Sequence, residues 1–279
     1  LDDGFVKEYL SLRRETAPMQ SFQRWRLALL TVCVLLILLL WDASGLDLPF
    51  ELEFGGSGGF PLRDNWFLTE ILHDGARSAA WLLALCLCML VWWPLGVFKR
   101  IATVRRLQFA LTTLAAVAVV STLKAFSGAS CPWNLADFGG VAQHIPHWSH
   151  FFQPDGGSGR CFPAGHASAG FAFIGGYFAF REEAPEIARA WLGFAILAGL
   201  LLGMAQQIRG EHFMSHTLWS GWVCWLVAWA LDSGFARLAR RHLPLELESQ
   251  PRQDASLLPD GAQHKFHPQI AQIAQISTD

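Results

Sequence analysis

Residues 187–216 read IARAWLGFAILAGLLLGMAQQIRGEHFMSH. The run 187–205 is apolar apart from Arg189. It matches the length of about 20 residues that a helix needs to cross a bilayer. It stops abruptly at Gln206-Gln207-Ile208-Arg209-Gly210-Glu211-His212, and a second apolar run follows over 213–231. Two apolar runs around a tight polar turn make a helical hairpin in lipid, because only a helix satisfies all its backbone groups within a single segment. This hairpin sets the expected class as all-α integral membrane.

Outward from it, four more stretches qualify, at 27–46, 79–98, 107–123 and 164–180. The expected architecture is a six-transmembrane-helix bundle. The 164–180 span is short and carries Gly165, Gly170, Gly175 and Gly176, which let neighbouring backbones approach closely. The first run begins near Leu27 after Lys7, Arg13, Arg14, Arg24 and Arg26, with no small-residue cleavage site behind it, and is expected to be an uncleaved first span. Composition agrees. The 279 residues are 52% hydrophobic and only 16% charged, against about 25% charged in a soluble domain. A net charge of -2 gives no reason to expect nucleic acid as a partner. The 13 Trp against 2 Tyr suit a membrane–water interface.

Positive charge orients the bundle. The basic N-terminus, the link with Lys99, Arg100, Arg105 and Arg106, and the flank with Arg237, Arg240 and Arg241 fall on one side, expected to be cytoplasmic. The links 42–77 and 124–163 and the turn at Gly210 fall on the other, expected to be periplasmic in a bacterial inner membrane. The expected domains are a cytoplasmic N-terminal segment 1–26, a membrane domain 27–232 with its catalytic core at about 107–232, and a polar cytoplasmic tail 233–279. Residues 54–60 (FGGSGGF) read as a flexible loop, and 65–74 (NWFLTEILHD) as an amphipathic helix on the periplasmic membrane surface. Cys33, Cys86, Cys88 and Cys224 lie in spans as apolar fillers. Cys131 and Cys161 share the long external link, where a disulfide between them is permitted.

Ionisable residues at span ends are informative because each is costly in lipid without a task or a partner. Lys124 closes the third span, His166 opens the fourth, and Arg209, Glu211, His212 and His216 surround the fifth turn. Three helix ends at one membrane face can share a pocket suited to phosphate. Lys124 and Arg209 supply charge for its oxygens. The N–H groups around Ala164, Gly165 and His166 open a helix N-terminus. One neutral imidazole can attack phosphorus while the other, protonated, donates to the leaving oxygen. His216, one helical turn past His212, can hold the nucleophile's second nitrogen. Each also has a plainer reading. Lys124 can snorkel, Arg209 can pair with Glu211 or cap carbonyls, His166 alone can be a packed side chain with one hydrogen bond, and His216 can be structural.

These residues resemble the type 2 phosphatidic acid phosphatase superfamily, whose pattern is Lys-x6-Arg-Pro, Pro-Ser-Gly-His and Ser-Arg-x5-His-x3-Asp. The matching stretches are Lys124 with Cys131-Pro132, Pro163-Ala164-Gly165-His166, and the turn through Gly210 and His212. Cys131, Ala164, Gln206 and His216 stand where the family has Arg, Ser, Arg and Asp. The Cys-Pro-Trp and Arg-Gly-x-His-Phe-x-Ser-His version is similar to divergent bacterial branches. The resemblance implies a PAP2-like core that dephosphorylates a membrane lipid phosphate or diphosphate. In it His212 would carry a phosphohistidine intermediate, His166 would be the general acid and Lys124 would bind phosphate. Arg209 and Arg160 would replace the missing arginines. It also implies no cofactor and no metal.

Other readings remain at this level. A lipid phosphotransferase would use the same site with a different acceptor. A non-catalytic lipid-binding or transport protein would explain the missing arginines. His144, His147 and His150 have a spacing that can ligate zinc. A rhomboid-like protease would use Ser168 with His212 or His216, but leaves Lys124 and Arg209 without a task.

Overall fold

A computed structural model describes residues 25–148 and 151–249. Most of the expected N-terminal segment (1–26), His150 and the end of the expected tail (233–279) lie outside them. The chain divides into two units, Leu1–Ser233 and Gly234–Asp279. All the site residues lie in the first.

Among the described residues the protein is helical and forms no sheet. The helices are α1 (Trp25–Ser44), α2 (Asp47–Glu51), α3 (Ala76–Trp92), α4 (Thr103–Phe126), α5 (Gly165–Phe171), α6 (Gly175–Phe180), α7 (Pro185–Ile208) and α8 (Met214–Ser249). Four helical stretches are long and apolar enough to cross a membrane: Trp25–Ser44, Phe67–Arg100, Thr103–Phe126 and Pro185–Ile208. This is the signature of a multi-pass membrane protein. Their outward side chains are apolar, with Leu40 70% and Leu197 59% exposed. Such exposure suits lipid and would be costly in water.

Two of the six expected spans differ in kind. The 164–180 stretch is not one helix but α5, a 3-10 turn at Ala172–Ile174, and α6. It is nearly all buried in the centre of the bundle, so it packs against helices and not lipid. Small size matters there more than hydropathy: a Cβ at Gly170 would collide with the backbone of Gly199 on α7. The glycines do permit close approach, as expected. The sixth, α8, is long but carries His216, Ser220, Trp219, Trp222 and Trp225. Two of those tryptophans tie α8 to a neighbouring helix. The Trp222 indole N–H donates to the Thr31 carbonyl (3.2 Å) and that of Trp225 to the Thr31 hydroxyl (2.8 Å), tying α8 to α1. Interhelical bonds of this kind contribute about 0.6 kcal/mol each in membranes.

Two local expectations are corrected. Residues 65–74 do not form a separate surface helix. A π-helical segment, Phe67–Gly75, runs directly into α3. Nor is 54–60 a loose loop: Gly56 and Gly59 close a paired turn (2.8 and 3.1 Å), and Phe60 is buried against Phe138.

At one end of the bundle an ion-paired node joins three elements. Buried Asp232 on α8 accepts from Arg181 (2.7 Å), Arg105 (3.2 Å) and Gln108 (3.1 Å), while Arg105 also reaches Glu182 (2.6 Å). Arg105 opens α4 and Lys124 closes it, so the node and the candidate site lie at opposite ends of the helices.

Candidate active site

The long link between α4 and α5 must fold back for Lys124 and His166 to meet. Backbone bonds do this: Arg160 N–H donates to Ser127 O (2.7 Å) and Cys161 N–H to Ala129 O (2.9 Å). A disulfide joins Cys131 to Cys161, as their shared compartment allowed, with Cα atoms 5.1 Å apart. The fifth turn is fixed by Gly210, whose φ of 77° lies in the left-handed region that favours glycine. A Cβ there would also run into the Phe60 ring. The Gly210 carbonyl accepts from Trp133 N–H (2.9 Å), locking this turn to the loop after the disulfide.

The result brings the two histidines together. The rings of His166 and His212 are 6.5 Å apart between centroids. Between them sits a residue that the sequence reading placed in the turn without a role. Glu211 Oε1 lies 3.4 Å from His166 Nδ1 and 3.7 Å from His212 Nε2. Its Oε2 faces Arg209 Nη1 (3.6 Å) and His73 Nε2 (3.9 Å). His73 comes from the π-helical segment and stacks on His166, centroids 3.8 Å apart. The rule about ionisable groups at span ends would have found both His73 and Arg77, had it been applied to the second span.

The other expected residues fall in different places. Lys124 lies over Gly165, so close that a Cβ there would touch its ammonium. Ala164 N–H is already bound to the His216 carbonyl (3.1 Å) and is not free for an anion. Arg209 donates to Arg63 O (2.9 Å) and Gln206 Oε1 (2.8 Å), so its guanidinium is largely engaged. Arg160 is exposed, with a φ of 57°. His216 is buried beside His212 (5.8 Å, rings at 62°), but its Nδ1 has no hydrogen-bond partner. His212 Nδ1 instead faces the Cys161 sulfur at 3.4 Å. That sulfur carries no hydrogen, so its 2.7 Å approach to the Glu211 carbonyl is a close contact and not a hydrogen bond.

Electrostatics divides the roles. Burial, reinforced by the Lys124 ammonium, pushes His212 down to about 3. It is therefore neutral at physiological pH, with a lone pair available. Burial alone would raise Glu211, but His166, His212 and Lys124 overrule it and hold its carboxyl below the ordinary range. The ionised carboxylate is an anion among cationic and polar partners.

Beside this cluster runs a groove of about 270 Å³ between α3, α4 and α5. Arg77, Lys124 and His166 line its polar part; Trp81, Leu114 and Phe173 line its apolar part. Trp81 and Leu114 are 49% and 39% exposed, so the groove lies open on the outer flank of the helices. His212 is fully buried behind His166 and Glu211 and does not line it.

A family model, the PAP2 superfamily, matches residues 105–238. The chain carries a PAP2 domain. Members of this superfamily are typically phosphatases acting on phosphate esters. No curated protein and no solved structure matches the chain. The PAP2 domain contains Lys124, His166, Glu211 and His212, whereas His73 and Arg77 precede it.

Two clusters near the site have metal-ligand atoms within 4.8 Å of one another: His73, His166 and Glu211, and Cys161, His212 and His216. The second cannot act as a thiolate site, because Cys161 is in the disulfide. The first is the site itself. Of the sequence-predicted zinc trio, His150 lies outside the described residues; the His144 ring packs on Phe213 (5.3 Å), whereas His147 pairs with Asp42.

Proposed function

We propose that this protein is a membrane-embedded lipid phosphatase, a six-span bundle that hydrolyses a lipid phosphate or diphosphate at the extracytoplasmic face. The observation that carries the reading is the groove. Its cationic part presents Arg77, Lys124 and His166, and its apolar part continues along the exposed flank of α3 and α4. A phosphorylated head group fits the first while its tails stay against the second. A soluble phosphate ester would have no use for an apolar trough facing lipid. Charge asymmetry supports the orientation: the Lys99–Arg106 link lies at the opposite end of α4 from Lys124.

In the reaction, phosphate oxygens bind Lys124 and Arg77. Their entry displaces the Glu211 carboxylate, since two anions do not share the space between the histidines. Neutral His212 Nε2 attacks phosphorus, forming an N–P bond as the P–O bond to the lipid breaks. His166, protonated, gives its proton to the departing lipid oxygen. Water then attacks phospho-His212, His166 takes one of its protons, and phosphate leaves. An acceptor lipid in place of water would make the same site a phosphotransferase.

The test is phosphate release from a panel of mixed-micelle lipid phosphates and diphosphates by wild type, His212→Ala and His166→Ala. Release by wild type that both variants lose supports the reading. Release that both variants retain overturns the mechanism, and no release from any lipid overturns the function in favour of a lipid-binding or transport role. Protein quenched in alkaline detergent during turnover of a labelled lipid should carry acid-labile, base-stable phosphate in wild type only.

A further inference from the structure

A second cavity, of about 440 Å³, is lined in part by His216 and shares no residue with the groove. Its lining includes Asp42, Asp47, His144, His147, Asp155 and His216, with no Lys or Arg among the described residues. Three carboxylates without a cationic side chain beside them are electrostatically unbalanced.

Asp155 is satisfied by Ser130 N–H (2.6 Å), the Ser130 hydroxyl (2.7 Å) and Gly157 N–H (3.0 Å). The other two carboxylates differ. Asp42 uses Oδ2 to accept from Trp219 (2.9 Å), while its Oδ1 is buried without a hydrogen-bond partner. Asp47 uses Oδ1 to accept from Trp41 (2.8 Å) and Ser215 N–H (3.0 Å). His147 is 9% exposed, its Nε2 also lacks a hydrogen-bond partner, and it lies 3.4 Å from Asp42 Oδ2. Its ring is clamped on Phe162, centroids 4.1 Å apart at 22°. Thus Asp42, Asp47 and His147 each present a ligand atom within 4.8 Å of the others, and each side chain is held in place by a separate contact.

We propose that Asp42, Asp47 and His147 bind a divalent transition-metal ion, with zinc the best fit. One imidazole and two carboxylates form a hard-to-borderline donor set suited to zinc or manganese, and the cavity has room for water to complete the coordination. The hydrogen bonds from Trp219, Trp41 and Ser215 are the outer partners that orient ligating carboxylates. The ion would cross-link the α1–α2 junction to the disulfide-closed link directly behind His216. It is a clamp, outside the chemistry at His212, and it does not rest on the proposed lipid phosphatase reaction.

The experiment uses full-length, tag-free protein in detergent, stripped with chelator and then dialysed against micromolar zinc. Wild type is expected to hold one zinc per chain by elemental analysis and to melt several degrees higher with zinc than without. Asp42→Asn and His147→Gln should lose both effects; His144→Gln should keep them. X-ray absorption at the zinc edge of wild type should show a nitrogen and oxygen shell with one imidazole and no sulfur, a readout independent of how any variant folds. Wild type with no stoichiometric zinc, a sulfur-containing shell, or full zinc retention by both His147→Gln and Asp42→Asn would overturn the proposal. None of these measurements uses a lipid substrate, so failure here leaves the phosphatase reading separately testable.

Discussion

Replacing Glu211 by Gln tests whether its carboxylate occupies the phosphate position. The change keeps shape and removes one negative charge from a point 3.4 Å from His166 and 3.7 Å from His212. A phosphate bound to both rings would lie within about 4 Å of that charge. Two unit charges at this distance and an effective dielectric of 20 repel by about 4 kcal/mol. Glu211 is about one-tenth exposed, and Lys124, Arg209 and His73 surround it, so screening and rearrangement should leave roughly half, about 2 kcal/mol. At 1.4 kcal/mol per decade this is about a 30-fold tighter inhibition constant for inorganic phosphate. The assay is competitive inhibition of lipid phosphate turnover, backed by isothermal titration of orthovanadate. If phosphate binds Glu211→Gln no more tightly than wild type, the carboxylate is not in the anion position and the displacement step is wrong.

Three further outcomes are expected. Glu51 is fully buried, and burial pushes its carboxyl up to about 9. Its folded value exceeds the unfolded 4.5, so its contribution is favourable below 4.5 and is lost as pH rises toward 9. Glu51→Gln should therefore raise the melting temperature at pH 8 more than at pH 5, and equal effects would contradict this. For His212 the sign is opposite: held down to about 3 from 6.5, it binds no proton in the folded state, and stability falls by about 1.4 kcal/mol per unit as pH drops from 6.5 toward 3. Its ring nitrogens, followed by 15N NMR, should not titrate between pH 5 and 8; an inflection near 6.5 would refute the buried neutral state. Asp232→Ala leaves Arg105 and Arg181 without their shared partner and should cost about 3–5 kcal/mol, read as a large drop in detergent melting temperature.

The hairpin 187–216 was legible because hydropathy and a glycine turn are local properties. Lys124, His166 and His212 were legible because motif spacing and span ends are written along the chain. Glu211 was visible as a residue but not as a bridge: that requires the χ angles which turn it back between two rings from different helices. His73 lies near a span end, where its cost in lipid marks it, but outside the family motifs; Asp42 reaches His147 and Asp47 only through tertiary packing. The 164–180 stretch reads as one continuous helix because composition shows neither its 3-10 break nor that helices surround it in place of lipid. Arg209 looked available because sequence does not show that Arg63 and Gln206 take up its donors.

The Asp232 node has a mechanical consequence. It pins α4, α8 and the link before α7 at one end by charged bonds, whereas the groove lies toward the other end of α4, between α3, α4 and α5. A helix held at one end moves as a lever, and a small tilt at the anchored base becomes a larger displacement at the mouth. A tilt of α4 about that base would therefore change the width of the groove. Head groups of different size would be accommodated by tilting α4 about that base, without disturbing the turn that carries His212.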